Sequence, residues 1–573
     1  MTCRETDDVG GRRRATTVAG LVAAAFFVAF GALHYGFYTR NLLQDTPVYE
    51  RYGDAIVHHR EVPYRDFAVE YPPGALPVFA APSLVASAGD FLRYRAVFET
   101  LMLVCGGIAS ALVGFVLSLQ GASTRRLVGG TLLAGLAPLL LGPVVLSRFD
   151  LWPAMLTIAG LAALVVDRRR LGVALLGFAV AAKVYPAVVV PPALLYVLRR
   201  NGRREALVCC GVAAGAALVW LVPFLAVSPH GVWASLAGQA SRPLQLESLG
   251  ASFLLGAHQA WGLPLTVVSS HGSDNLAGRL PDLLATVQSV LAPAAIIGTW
   301  VAFARGDATR DRLLRYCAAA ICAFIVLGKV LSPQYLIWLI ALVPLVRGRR
   351  GLAASALFLA SLVLTQLWFP SRYLDLAYGF DVRASWFVLA RDLVLLALLA
   401  TLVTPARRGR RVGVTAVVVL VLAAVAASVA AGARLAAPAS LSHSGLLDET
   451  GVAGSCARRP KTPGTSPGTV RYAISAFENS SVHARCITIA LTPHAGSHLF
   501  AAAYEGGFEP ARPSNGYLGD LGACTNVAGV TGASRSFSFR VPPRVRFVVE
   551  VEQCDSTREA PRYTLALHSA PLP

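Results

Sequence analysis

The sequence predicts a polytopic α-helical membrane protein of about 13 spans, followed by a C-terminal extracytoplasmic β-sandwich domain. Of the 573 residues, 55% are hydrophobic and only 14% are charged, and the mean hydropathy is +0.57. A soluble domain carries about 25% charged residues. The arginines form short clusters between long apolar runs, whereas the last 100 or so residues contain short alternating runs and turn residues.

The net charge of +19 could suggest a nucleic-acid partner. The arginines, however, form neither one patch nor one helix face, and their placement between apolar runs is typical of cytoplasmic membrane loops. We therefore predict no nucleic-acid binding.

The basic clusters also predict the topology. The triplet Arg12–Arg14 precedes an apolar run over 15–37, which is longer than the core of a signal peptide, so it is predicted as an uncleaved first span in the plasma membrane with a cytoplasmic N-terminus. Residues 74–89 are apolar but short and contain Pro77 and Pro82, which predicts a re-entrant or interfacial segment on the outer side. With that placement every Arg cluster lies in the cytoplasm. The further predicted spans cover 96–119, 127–146, 151–166, 171–182, 186–198, 206–227, 283–304, 316–331, 334–346, 351–368, 386–404 and 412–431, with a long outer loop over 228–282.

The predicted domains follow from these boundaries. They are a cytoplasmic tail (1–14), a transmembrane domain (15–435) with an outer loop at 39–73, a linker (436–469) and an extracytoplasmic β-rich domain (470–573). Four cysteines lie in the last part of the chain, namely Cys456, Cys486, Cys524 and Cys554. Their even number predicts two disulfides and an oxidising compartment, with all three pairings open.

The outer loop concentrates charged, aromatic and proline residues between two apolar segments. Asp45 is either the N-cap of a helix that begins at Thr46-Pro47 or a catalytic base. Asp66 and Glu70 are four residues apart and would share a helix face, although Asp66 could simply pair with Arg65 or Arg60. Glu70 and Tyr71 precede a diproline that fixes them where the chain returns to the membrane.

Further polar residues are predicted at the same outer level. Arg148 and Asp150 lie at a helix end, either as an internal ion pair or as functional groups. Lys183 lies at a turn. It is either a phosphate ligand or a lysine whose side chain extends to the membrane–water interface. Gln334 and Tyr335 belong to another outer turn. Carboxylates together with cations suit the binding of a lipid phosphate and the activation of an acceptor. No cluster has the spacing of a metal site, since His58-His59 lacks a third ligand.

Several short motifs occur in an order that resembles the actinobacterial GT-C membrane glycosyltransferases. The nearest group is the polyprenyl-phosphate-mannose-dependent mannosyltransferases, family eighty-seven. The resemblance covers about residues 15–410 and excludes the β-rich domain. It rests on Asp45 after the first helix, Pro63–Phe67, Glu70–Pro73, Arg148–Asp150, Ala182–Pro186 and Leu331–Tyr335.

The resemblance implies a GT-C-like fold and an inverting transfer on the outer membrane face. The sugar, mannose by the family's pattern, would move from a polyprenyl-phosphate donor to a cell-envelope glycolipid or glycan. Asp45 would be the base, Arg148 and Lys183 would neutralise the departing phosphate, and no metal or other cofactor is implied. Glu70 and Gln334 would orient sugar or acceptor, and the rest of the implied binding set is Asp66, Tyr71, Asp150 and Tyr335. A family histidine in a later outer loop has no secure match, because His258 and His271 are both possible.

Two other functions account for part of the pattern. A transporter or flippase of a lipid or envelope precursor would also need many spans and buried charges, but no inverted repeat is evident in the sequence. A non-catalytic anchor for the β-rich domain would leave the polar residues of the outer face unexplained.

Overall fold

The computed structural model describes one long continuous part of the chain and several shorter pieces. These are residues 17–26, 28, 30, 45–404, 441–445, 472–479, 484–493, 499–506, 516–521, 535–542, 545–553 and 563–571. The predicted cytoplasmic tail, the final span at 412–431 and the linker lie outside the described residues. The chain forms two compact units: Met1–Leu265, Leu276–Pro370 and Ser385–Ser428 in the first, and Thr266–Asn275, Ser371–Ala384 and Val429–Pro573 in the second.

The first unit is helical. Its helices are α1 (Thr17–Phe26), α2 (Thr46–Val57), α3 (Leu76–Ser83), α4 (Phe91–Leu119), α5 (Thr124–Leu141), α6 (Val144–Ser147), α7 (Leu151–Val165), α8 (Arg169–Ala182), α9 (Val190–Val227), α10 (Pro229–Ala240), α11 (Leu249–Trp261), α12 (Arg279–Ala304), α13 (Arg310–Leu327), α14 (Ile337–Ile340) and α15 (Gly348–Gln366). Helix α16 (Tyr373–Gly379) belongs to the second unit, and most of α17 (Val382–Val403) belongs to the first.

Length and composition allow four helical segments of the described chain to cross a membrane. They are Phe91–Leu119, Tyr185–Val227, Arg279–Ala304 and Val382–Val403, and shorter apolar helices include Leu151–Val165. These segments support a membrane protein, while the predicted number of spans stays a prediction. Helix α3 has eight residues, about 12 Å, which is too short to cross a hydrocarbon core of about 30 Å.

Three predicted segments between residues 186 and 346 contain local structure that the sequence analysis did not describe. The long loop at 228–282 contains α10, α11 and the strands β1 (Leu244–Gln245), β2 (Thr266–Ser270) and β3 (Ser273–Ala277). Its helices begin at serines whose side chains cap them, Ser228 and Ser248, a signal that the apolar pattern hides. The predicted spans at 186–198 and 206–227 correspond to two helical stretches, both included in α9, which meet at a kink at Gly202, where φ is +85°. The predicted helix at 334–346 is a short α14 between two 3-10 turns that contain Pro333 and Pro344.

The chain returns from the outer loop through a very close backbone contact. After Pro72, a 3-10 turn over Pro73–Ala75 packs against the end of α8. A Cβ on Gly74 would lie 2.5 Å from the carbonyl carbon of Ala181 and 2.6 Å from the amide nitrogen of Ala182. The indole of Trp152 donates a hydrogen bond to the Gly74 carbonyl at 3.1 Å. Glycine at this position therefore sets how the outer loop meets α7 and α8.

The second unit contains two four-stranded antiparallel sheets. Their orders are β5-β10-β7-β8 and β4-β11-β6-β9. The strands are β4 (Leu441–Gly445), β5 (Tyr472–Glu478), β6 (Arg485–Pro493), β7 (Leu499–Glu505), β8 (Tyr517–Asp520), β9 (Arg535–Val541), β10 (Arg546–Gln553) and β11 (Tyr563–Pro571). Alternate residues of β6, such as Ile487 and Ile489, are buried, and they join one apolar cluster with Phe547 and Val549 of the other sheet. The two sheets thus share a core.

Of the four cysteines predicted to form disulfides, one lies in the described part of the chain. Cys486 on β6 is disulfide-bonded, whereas Cys456, Cys524 and Cys554 lie outside the described residues. Two bridges therefore remain a prediction. Cys105, Cys209, Cys210, Cys317 and Cys322 are free.

Replacing Gly74 by alanine should destabilise the protein. The added methyl would overlap the backbone of α8, and overpacking of this kind typically costs about 1–3 kcal/mol. Thermal unfolding in detergent should therefore shift to lower temperature. The matched control is Gly129→Ala in α5, where a Cβ meets no atom within 4 Å; equal unfolding temperatures of the two variants would contradict the close-packing account.

Candidate active site

Asp45 and Arg148 form an ion pair at the start of α2. Asp45 occupies the N-cap position, but its side chain makes no capping hydrogen bond and pairs instead with the guanidinium of Arg148. The Thr46 hydroxyl donates to the Ser147 carbonyl at 3.3 Å, which holds the first turn of α2 against α6. Asp45 therefore occupies the predicted N-cap position, but its side chain does not cap the helix. The carboxylate therefore faces a cation that follows α6.

A second ion pair lies two residues further along the chain. Asp150, at the N-cap of α7, is fully buried and accepts hydrogen bonds from the Lys183 ammonium at 2.7 Å and from the Trp338 indole at 2.6 Å. Lys183 is the C-cap residue of α8. Burial lowers the pKa of Lys183, and the negative charge of Asp150 opposes that shift. Asp150 thus joins α7, α8 and α14 through one carboxylate.

Aromatic rings surround the Lys183 ammonium. It lies 4.6 Å from the ring centroid of Phe149, 5.4 Å from that of Trp338 and 5.7 Å from that of Tyr335. Trp338 is stacked between Tyr185, at 3.9 Å, and Tyr335, at 4.2 Å. Such ring faces attract a cation and replace part of the water that it loses on burial. The set Asp45, Arg148, Asp150, Lys183, Tyr335 and Trp338 is called the polar cluster below.

Sequence reasoning missed two members of this neighbourhood. Arg242 follows α10, and its charge acts on both Lys183 and Tyr335. Trp338 was not singled out, because a tryptophan in an apolar segment carries no signal of an indole hydrogen bond. Arg242 could have been noticed as an arginine in the predicted outer loop, between Ser241 and Pro243.

The outer-loop residues separate into two groups. Residues 61–72 form no helix, so the predicted shared face of Asp66 and Glu70 is wrong. Tyr64 adopts φ +69°, and Asp66 accepts a backbone hydrogen bond from Val62 at 2.7 Å. Asp66 also pairs with the exposed Arg65 at 2.8 Å, which lowers its pKa to about 2. Asp66 therefore stabilises a local turn and contacts no member of the polar cluster.

Tyr71 and Glu70 lie nearer the polar cluster. The Tyr71 ring packs against Phe149 at 4.8 Å and against Tyr49 at 5.8 Å. The Tyr49 hydroxyl lies 3.4 Å from the Asp45 carboxylate, so Tyr71 and Asp45 share a neighbour. Glu70 is exposed, and its carbonyl accepts a hydrogen bond from Gln239 of α10 at 3.2 Å. The predicted roles of both residues stay predictions.

The remaining predicted residue, Gln334, is half-buried in the turn before α14. Its backbone carbonyl accepts a hydrogen bond from the Ile337 amide, whereas its side chain has no hydrogen-bond partner among the described residues. Close to that turn, a small apolar cavity is lined by residues that include Phe26, Gly106, Leu151 and Ile337. Leu151 directly follows Asp150 in the sequence, and Ile337 directly precedes Trp338. The cavity therefore adjoins the polar cluster.

The chemistry available to the polar cluster is that of two carboxylates and two cations. Within the described part of the chain, no group of three or more histidine, cysteine, aspartate or glutamate residues could hold a metal ion. His258 contacts the Leu263 carbonyl at 2.7 Å and His271 the Ser270 hydroxyl at 3.2 Å, and neither contact assigns a role. The cluster can bind an anion through its cations and accept a proton on Asp45.

Comparison with known proteins gives limited information. No protein-family model and no curated protein matches the chain. Among solved structures, the chain resembles the cryo-EM structure of the arabinosyltransferase EmbB from Mycobacterium smegmatis, with a TM-score of 0.31 and 12% identity over 97% of this chain. The match covers 64% of that chain, which is less than two thirds of its length. A likeness this distant transfers neither fold nor activity.

Removing the Lys183 ammonium should destabilise the protein, because Lys183→Met leaves the Asp150 carboxylate buried without its cation. Breaking a buried ion pair in this way costs about 3–5 kcal/mol. The thermal unfolding temperature should fall, and adding Asp150→Asn should restore part of it. Lys329→Met is the matched control, since the Lys329 ammonium donates to the backbone carbonyl of Ala240 and pairs with no carboxylate in the described part of the chain. An unfolding temperature unchanged by Lys183→Met would contradict the described pairing.

Proposed function

We propose that the protein is a GT-C-type membrane glycosyltransferase that transfers mannose from a polyprenyl-phosphate donor to a cell-envelope glycolipid or glycan. The observation that carries the proposal is the ion pair of Asp45 with Arg148 beside the aromatic-lined Lys183. A general base and cations for a departing phosphate are the groups that such a transfer needs. The resemblance in sequence motifs supplies the sugar and the donor.

The proposed reaction is a single displacement. The Asp45 carboxylate takes the proton of the acceptor hydroxyl, and the acceptor oxygen forms a bond to the anomeric carbon. The bond between that carbon and the phosphate oxygen breaks, and its electron pair leaves with the polyprenyl phosphate. Attack from the face opposite the leaving group inverts the anomeric configuration.

The two cations have different freedom to meet the phosphate. Lys183 is fixed by the fully buried Asp150, so it contributes positive potential from a set position. Arg148 pairs with Asp45, whose side chain is 29% exposed. A phosphate that binds Arg148 would displace Asp45 and release the carboxylate to act as a base. Donor binding would thus activate the base before the acceptor reacts.

The other parts of the chain fit this proposal in distinct ways. The apolar cavity beside Leu151 and Ile337 offers a surface compatible with the start of a prenyl chain. The common core of the two C-terminal sheets supports the predicted β-sandwich. We place this sandwich and the polar cluster on the outer side of the plasma membrane by the positive-inside rule.

The first test is transfer of radiolabelled mannose from polyprenyl-phosphate mannose to a membrane glycolipid and glycan extract. Wild type should incorporate label, and Asp45→Asn should lose at least about 100-fold in rate, since general-base catalysis contributes about 10²–10⁴-fold. Asp311→Asn is the control, because Asp311 pairs with Arg347 away from the cluster. Full activity of Asp45→Asn would remove Asp45 as the base. Absence of transfer by wild type, also with polyprenyl-phosphate arabinose, would favour the transporter alternative.

A second test concerns the competition for Arg148. Because Asp45 and the phosphate would share this guanidinium, Asp45→Asn should tighten the binding of sugar-free polyprenyl phosphate about 3- to 5-fold, the range expected for a partly exposed ion pair. The same substitution in an Arg148→Gln background should have no effect on binding. Equal or weaker lipid binding by Asp45→Asn would contradict release of the base by the donor, even if transfer itself is observed.

A further inference from the structure

Three arginine-rich segments meet at one end of the helical unit. They cover residues 167–170 at the α7–α8 junction, 199–205 within α9 and 305–310 at the α12–α13 junction. Arg199 donates a hydrogen bond to the Gly306 carbonyl, and Arg170 pairs with Glu205 at 3.1 Å. The charges of Arg200 and Arg310 both act on Asp167. Segments far apart in sequence thus form one surface, called the basic surface below.

The basic surface has a large excess of positive charge. It contains nine arginines, no lysine and three acidic residues. Two of the acids are already used, since Asp167 pairs with Arg169 and Glu205 with Arg170. Within the described chain, seven exposed arginines have no carboxylate partner: Arg168, Arg199, Arg200, Arg203, Arg204, Arg305 and Arg310. Guanidinium groups suit phosphate oxygens, which they can bind through two parallel hydrogen bonds.

Apolar side chains are exposed directly beside these arginines. The exposed fractions are 39% for Val166, 55% for Leu171, 37% for Leu198 and 72% for Leu207. Leu171 and Leu207 belong to helices, with Arg170 and Arg204 close by in the sequence. A border of exposed apolar surface next to a phosphate-binding surface matches an amphiphile that carries its negative charge at one end.

We propose that the basic surface binds the phosphodiester headgroups of anionic phospholipids, with acyl chains along the exposed leucines and valine. The site is separate from the polar cluster, because it shares no residue with it and is predicted on the cytoplasmic side. Binding there would fix the depth of α8, α9 and α12 in the membrane. It does not depend on the proposed transfer reaction.

The test compares retention of two phospholipids by the purified full-length protein in mixed micelles. The probes are phosphatidylglycerol and phosphatidylcholine with identical acyl chains, and retained lipid is counted by native mass spectrometry. Wild type should retain phosphatidylglycerol preferentially. In the triple variant Arg168→Gln, Arg203→Gln, Arg204→Gln, the ratio of retained phosphatidylglycerol to phosphatidylcholine should fall at least about fivefold. Each basic residue near an anionic headgroup strengthens the binding of the lipid.

The control removes three exposed arginines elsewhere, with Arg51→Gln, Arg60→Gln and Arg93→Gln. This variant has the same net charge and should keep the wild-type preference. Equal retention of the two lipids by wild type, or an equal loss in both triple variants, would overturn the proposal. Release of phosphatidylglycerol by inorganic phosphate, but not by chloride of the same ionic strength, would assign the surface to free phosphate and also overturn it.

Discussion

The buried carboxylate of Asp150 is the constraint on which the rest of the candidate active site depends. A fully buried charge must be paired, and Asp150 is paired by Lys183 from the end of α8 and by the indole of Trp338 from α14. This requirement brings three helix ends together. Phe149 and Arg148, which precede Asp150, are thereby placed beside Lys183 and Asp45 respectively. One buried ion pair therefore positions a more exposed pair, Asp45 with Arg148, for which we propose the roles of base and phosphate ligand.

The two ion pairs have different physical roles. The Lys183–Asp150 pair lies in an aromatic, water-poor environment, where loss of one partner would leave an uncompensated charge. The Asp45–Arg148 pair is partly open, with Asp45 29% exposed, so an anionic ligand can compete for the guanidinium. In the proposed reaction, a fixed cation next to an exchangeable one would permit phosphate binding without exposing the buried charge.

Sequence reasoning found much of this cluster, because charged residues at the ends of apolar helices are rare and their order along the chain was informative. It could not predict the pairing, since Asp45 and Arg148 are 103 positions apart in number and come together where the Thr46 hydroxyl at the start of α2 donates to the Ser147 carbonyl. It missed Arg242 and Trp338 because the first lies in a segment taken for a loop and the second in an apolar run. The shared helix face of Asp66 and Glu70 is wrong, because the chain turns at Tyr64 with positive φ, but the alternative pairing of Asp66 with Arg65 is confirmed. Backbone turns and serine-capped helices depend on local contacts that apolar periodicity does not report.

The central claim is that a lipid phosphate takes the place of Asp45 on Arg148. The most direct measurement is a cryo-EM structure of the full-length protein in nanodiscs with bound polyprenyl phosphate. The account predicts phosphate oxygens at hydrogen-bond distance from the Arg148 guanidinium, the Lys183–Asp150 pair unchanged, and the Asp45 carboxylate separated from Arg148. A phosphate bound elsewhere, with Asp45 still paired to Arg148, would contradict it.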